Sequence, residues 1–169
     1  MNDIVFKQNE FEIRKTTKDD ASLILSYIKK IAAYEKLSDQ VVATLSDIEH
    51  SIFDEKQAFV LIAEKNDKPI GFMLYFLTYS TFLGRANLYL EDIFIDVEHR
   101  HQGYGKFMFK ALANLSVEKG YHRIDWMCLD WNVKSIDFYK SLGAKHLEQW
   151  YTFRLEKEQI EVLSKLQIK

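Results

Sequence analysis

The chain has 169 residues, 47% of them hydrophobic and 28% charged, with a formal net charge of −2 and a pI near 6.2. That balance excludes a disordered chain and predicts a single globular domain, residues 1–169, large enough for a real core. It offers no basic excess of the kind a nucleic-acid binder needs, and its longest apolar runs are far too short to span a bilayer.

The lone cysteine, Cys128, rules out an internal disulfide framework and fits a reducing compartment. The opening MNDIVFKQNE lacks the basic stretch and apolar run of a secretion signal. The expectation is therefore a cytoplasmic protein with no nucleic-acid or membrane partner. A mildly acidic surface tolerates cationic ligands.

In chain order, Phe11 to Thr16 reads as the first strand. TTKDDASLILSYIKKIAAYEKL reads as a helix, with Thr17 or Asp19 as N-cap and Leu23, Tyr27, Ile28, Ile31 and Tyr34 at helical spacing. TLSDIEHSIFD is a shorter helix capped by Thr44 with Asp47 three residues on. QAFVLIAEK and KPIGFMLYFLTYS are strands, and NDKP between them signals a hairpin. ANLYLEDIFID is the next strand. After it, Tyr104, Phe107, Met108, Ala111, Leu112 and Leu115 form the apolar stripe of a helix that Gly120 ends. HRIDWMCL is a strand, NVKSIDFYKSL a helix closed by Gly143, AKHLEQWYTFRL a strand and EKEQIEVLSKLQ a terminal helix. The order β-α-α-β-β-β-α-β-α-β-α gives an α/β fold: three adjacent strands make the sheet partly antiparallel, and the later β-α-β step adds parallel pairing.

Chemistry concentrates at two places. HRHQGYGKFMF joins a strand to a helix, with glycines that allow a tight turn and close ligand approach. The helix N-terminus there favours phosphate, and Arg100 and Lys106 add positive charge. A loop whose glycines serve only the chain reversal is the plainer alternative. The dinucleotide fingerprint is absent, because Met108 stands where its third glycine belongs; so is the P-loop, because Phe107 follows Lys106. The second place is Glu91-Asp92, two acids interrupting an apolar strand. In a regular strand they point to opposite faces, and burying either unpaired is expensive. One solvated acid and one structural ion pair is the plainer alternative. Tyr139, in an amphipathic helix beside Phe138, reads by itself as core, and Cys128 as an inert thiol in a sheet interior. The five histidines show no metal spacing, so no metal is expected.

RHQGYGK matches the R/Q-x-x-G-x-G/A loop of the GCN5-related N-acetyltransferases, the GNAT superfamily, and follows a strand ending FIDVEHR as it does there. WNVKSIDFYKSLGA resembles the same family's N-x-x-A/S-x-x-F-Y-x-x-x-G-A/F segment. LYLEDIFI, AAYEK, FLTYSTFLGR and DWNVKSIDFYKSLGA resemble, more narrowly, the spermidine/spermine N1-acetyltransferase branch, which includes thialysine acetyltransferases. The resemblance implies a GNAT fold, a mixed and mostly antiparallel central sheet flanked by helices. It implies acetyl-CoA as donor, with Arg100, His101 and the backbone N–H groups of Gln102, Gly103, Tyr104, Gly105 and Lys106 at the pyrophosphate, the pantetheine arm along Ile93, Phe94 and Ile95, and Asn132 touching the cofactor. It makes Glu91 the general base, Tyr139 the proton donor to the thiolate, and Asp92 a ligand for a cationic amine, with Glu35 and Tyr34 as further acceptor-site candidates. The family also carries a β-bulge in this strand. Many members have glycine directly after the arginine; here His101 stands there, at a position not expected to need a left-handed backbone. The implied activity is direct acetylation of a small polyamine, with thialysine, another lysine-like or protein amine, or a non-catalytic acetyl-CoA-binding module as alternatives. A homodimer is implied, with HLEQWYTFRL at the interface.

Overall fold

The computed structural model describes residues 3–167, in two compact units that divide between Cys128 and Leu129. The first unit holds a six-stranded sheet whose spatial order follows the chain: β1 Ile4–Gln8, β2 Phe11–Lys15, β3 Phe59–Lys65, β4 Lys68–Ser80, β5 Arg85–Ile95 and β6 Ile124–Asp125. All neighbours run antiparallel except β5 and β6. Its helices are α1 Ala21–Glu35, α2 Leu45–Ile48, which widens into a π-type segment Glu49–Asp54, and α3 Tyr104–Lys119. The second unit holds α4 Val133–Ser141 and α5 Lys157–Ser164.

Each face of the sheet is covered, which is why β3 is apolar at every central position. Leu61 and Ala63 join Phe11, Ile13, Met73, Leu88, Leu90, Met108 and Leu112 in a cluster under α3. Val60 and Ile62 alternate to the other face, packing with Ile24, Tyr27, Ile48, Phe72 and Phe94 under α1 and α2. Tyr27 stacks on Phe72 at 5.3 Å. Arg14, itself buried, holds the start of α1 to the sheet by pairing with Asp20 and Glu64 at 2.8 Å each. The NDKP signal is a two-residue hairpin: Asn66 and Asp67 have φ of 50° and 60°, the pair of positive values that a type I′ turn requires.

The structure differs from the sequence reading at three elements. β1 precedes the expected first strand and pairs with it through a turn at Asn9, φ 55°, burying Phe6. The strand expected over HRIDWMCL shortens to Ile124–Asp125, where the parallel ladder stops at Tyr89, just ahead of a bulge that bends β5. Over AKHLEQWYTFRL, expected as a strand, residues 144–155 take turns and irregular backbone, and Trp150, Tyr151 and Phe153 are 77%, 83% and 92% exposed. No helix among the described residues is long and apolar enough to cross a membrane.

Candidate active site

The loop between β5 and α3 is built by two left-handed residues. Arg100 is extended, His101 has φ 62°, and Gly103, the N-cap of α3, has φ 85°. His101 thus takes the left-handed conformation that the sequence did not lead one to expect of it, one that glycine adopts without steric cost. A Cβ on Gly103 would meet nothing within 4 Å, so backbone conformation and ligand approach, not local packing, call for glycine. Tyr104 turns its ring inward, 8% exposed and stacked on Phe11 at 4.8 Å, which pins the first turn of α3 to the sheet. Lys106 N–H donates to Gly103 O at 3.0 Å. Among the described residues nothing accepts from the N–H groups of His101, Gln102, Gly103, Tyr104 or Gly105. Free donors converging on one helix end fit a pyrophosphate, and the Arg100 guanidinium and the exposed Lys106 add charge beside them.

The register of β4 against β5 slips between Leu74 and Tyr75: Leu74 faces Asp92, but Tyr75 faces Leu90, leaving Glu91 as the extra residue of a bulge. The slip decides where Asp92 points. Regular alternation would put it on the face of Leu88 and Leu90, in the core under α3. The extra residue transfers Asp92 to the opposite face, shared with Leu74, Phe94 and the C-terminal end of α1, while Ile93 and Ile95 take over the α3 face. Beyond Tyr89 no strand among the described residues lies beside β5, so its edge from Leu90 to Phe94 has no sheet partner.

Three carboxylates meet at this bulge. Burial and the charges of Glu91 and Glu35 push Asp92 up to about 7. Burial and Glu91 likewise raise Glu35, the last residue of α1. Tyr89, paired with Phe76 at 4.9 Å, has its hydroxyl raised by burial and then by Glu91 and Asp125. Tyr89 went unnoticed in the sequence; its signal was the alternation itself, once the bulge puts Tyr89 and Asp92 on one face. Cys128 is half-buried, with its thiol pushed up by burial and the Glu35 charge, which keeps it protonated and a poor nucleophile. Among the described residues no such group has metal-holding geometry. Tyr34, one residue before Glu35, lies against the Arg100 guanidinium at 4.8 Å. Of the other aromatics, Tyr27 is core, whereas Tyr79 and Phe82 stand 68% and 93% exposed on the β4–β5 arm.

Asn132 and Tyr139 belong to the second unit. Asn132 is the N-cap of α4, its Oδ1 accepting from Ser135 N–H at 3.4 Å. Tyr139 lies on the same helix, half-buried, its ring 5.6 Å from that of Phe138.

A family model described as the acetyltransferase (GNAT) family matches residues 25–144. A thialysine N-epsilon-acetyltransferase from Sus scrofa is 39% identical over 164 residues, covering 90% of this chain and 96% of that one. A spermidine/spermine N(1)-acetyltransferase-like protein from Homo sapiens is 34% identical over 161 residues, 89% of this chain and 23% of its own longer length. Among solved structures, an integron cassette protein from the mobile metagenome of V. cholerae superposes with a TM-score of 0.78 at 25% identity, over 94% of this chain and 100% of that one. A strand-loop-helix anion cradle, a bulged strand bearing paired acids and a family match across both thus lead to one conclusion: the chain belongs to the GNAT family and is an N-acetyltransferase.

Proposed function

We propose that this enzyme transfers an acetyl group from acetyl-CoA to an aliphatic primary amine that carries a second, remote ammonium group. The observation that carries the reading is the trio Glu35, Glu91 and Asp92, gathered on the acceptor-facing side of β5 and short of cations. A dication supplies what the trio lacks. Asp92 and Glu35 hold the remote ammonium, and the aromatic pair Phe76 and Tyr89 lines the approach.

The free N–H groups of residues 101–105, with Arg100 and Lys106, would hold the pyrophosphate of acetyl-CoA, and the unpaired edge of β5 near Ile93 to Ile95 would receive the pantetheine amides. When bound, the thioester supplies the acetyl group. Glu91, exposed at the bulge and in contact with water, takes the proton from the attacking amine. Tyr139 returns a proton to the departing sulfur, and Asn132, besides capping α4, contacts the cofactor. No acyl-enzyme is required, in keeping with the protonated Cys128. We assign both units to this one catalytic domain.

The 39% identical relative supports a lysine-like acceptor such as thialysine, whose α-ammonium is the second charge. The excess of carboxylates over cations supports a polyamine as second reading. Steady-state kinetics over thialysine, lysine, spermidine and matched monoamines test the proposal. At least one dication should be turned over with a kcat/KM well above every monoamine, and a monoamine at the head of the series would overturn it.

A further inference from the structure

Arg100 does more than face a phosphate. Its guanidinium carbon lies 4.8 Å from the centroid of Tyr34 and 5.0 Å from that of Phe94, between a ring of α1 and a ring of β5. Its Nε donates to Ile95 O at 2.8 Å. Three anchors therefore hold one planar group: a helix side chain, a strand side chain and a strand carbonyl. A guanidinium suits this position because it is flat, weakly hydrated and able to stack while still donating in its own plane. Among the described residues no carboxylate pairs with it, so its charge remains uncompensated beside the loop.

The same region of β5 is tied to α1 a second time. Asp96 accepts from Lys30 Nζ at 2.6 Å and from Tyr27 Oη at 3.3 Å. Tyr27, Lys30 and Tyr34 recur three and four residues apart and share one face of α1. That face ends at Glu35, an acceptor-site carboxylate. Asp96 and Arg100, in turn, bracket the turn that leads into His101 and Gly103. The helix that carries Glu35 and the loop that would carry the pyrophosphate are thus fastened to each other through Arg100.

We propose that Arg100 is a positioning residue that locks the C-terminal turn of α1 to the acetyl-CoA loop, so that occupancy of the cofactor site and of the amine site reinforce each other. The inference rests on the reading of residues 100–106 as the acetyl-CoA site. Coupling of this kind is reciprocal: if the amine tightens the cofactor, the cofactor tightens the amine by the same factor.

The test is calorimetric titration of free CoA, which binds without turnover, into the folded protein with and without a saturating acceptor amine. Removing the ring in Tyr34→Leu should weaken CoA about fivefold, the scale of one partly desolvated stack, although Tyr34 lies outside the loop. Tyr34→Phe keeps the ring and should retain more of the CoA affinity than Tyr34→Leu does. Arg100→Lys keeps the charge but not the plane, and should resemble Tyr34→Leu. Saturating amine should tighten CoA in the wild type and Tyr34→Phe and lose that effect in Tyr34→Leu and Arg100→Lys. A Tyr34→Leu protein with wild-type CoA affinity and an intact amine effect would overturn the clamp. Gly103→Val separates the two levels. If it binds CoA as tightly as the wild type, the cofactor-loop reading falls and the clamp with it; if it alone abolishes binding, only the clamp falls.

Discussion

At the scale of single residues, Asp92 bears the clearest conflict between stability and use. Its carboxyl is raised to about 7 by burial, then by the charges of Glu91 and Glu35. The folded state thus holds a proton that the unfolded chain releases nearer the ordinary aspartate value, so stability falls as pH rises through the window from about 4 to about 7. Above that window the ionised group opposes folding by at most about 4 kcal/mol, less where water reaches it. Asp92→Asn removes the charge and keeps the shape. Its melting temperature should exceed the wild type's by several degrees at about pH 8, and the gap should close as pH falls toward 4. Thermal melts across that range check this, and a pH-independent gap would mean that packing, not charge, changed. Tyr139 meets a different demand. Tyr139→Phe removes one hydroxyl and should lower kcat by about 100-fold while leaving the Kd for CoA unchanged; full activity across a pH profile would return Tyr139 to a purely structural place in α4.

At the scale of elements, one inserted residue organises the acceptor side. Were Glu91 paired in regular register, Asp92 would enter the α3 core beside Leu88 and Leu90; with Glu91 bulged out, Asp92 turns instead to the face of Glu35. Much of this is legible in sequence, because apolar periodicity marks α1, α3, β3, β4 and β5, and because Glu91-Asp92 interrupts an apolar run. Register is not legible. The bulge could be expected from family likeness, but which face Asp92 takes depends on pairing with Leu74, a long-range contact no local pattern encodes. The same limit applies to residues 144–155: their alternation reads as a strand, but local pattern alone does not decide whether such a segment takes strand backbone. The loop shows the converse case: histidine is among the few non-glycine residues enriched in the left-handed region, but that preference is too weak to announce the backbone strain at His101. His101→Gly should relieve that strain, adding up to about 1 kcal/mol of stability, and should hold CoA affinity within about twofold, since the loop contributes its backbone. A large loss of affinity in calorimetry would instead give the imidazole a direct part in cofactor binding.

At the scale of the whole molecule, the second unit leaves Leu147, Trp150, Tyr151, Phe153 and Leu155 exposed, more apolar surface in one segment than a solitary protein normally leaves in water. We propose that a second copy covers it. Sedimentation at micromolar concentration should show a dimer, weakened by Trp150→Glu; a species of 20.0 kDa alone would refute the assembly. In the proposed function the carboxylate trio Glu35, Glu91 and Asp92 selects an amine by its second charge. The most direct measurement is the ratio of kcat/KM for a diamine to that for the monoamine of equal chain length, in the wild type and in Asp92→Asn. The wild type should prefer the diamine by about tenfold or more, one well-placed charge contact, with the preference collapsing toward unity in the variant through KM of the diamine. Equal wild-type values for the two amines, or a preference that survives Asp92→Asn undiminished, would contradict it.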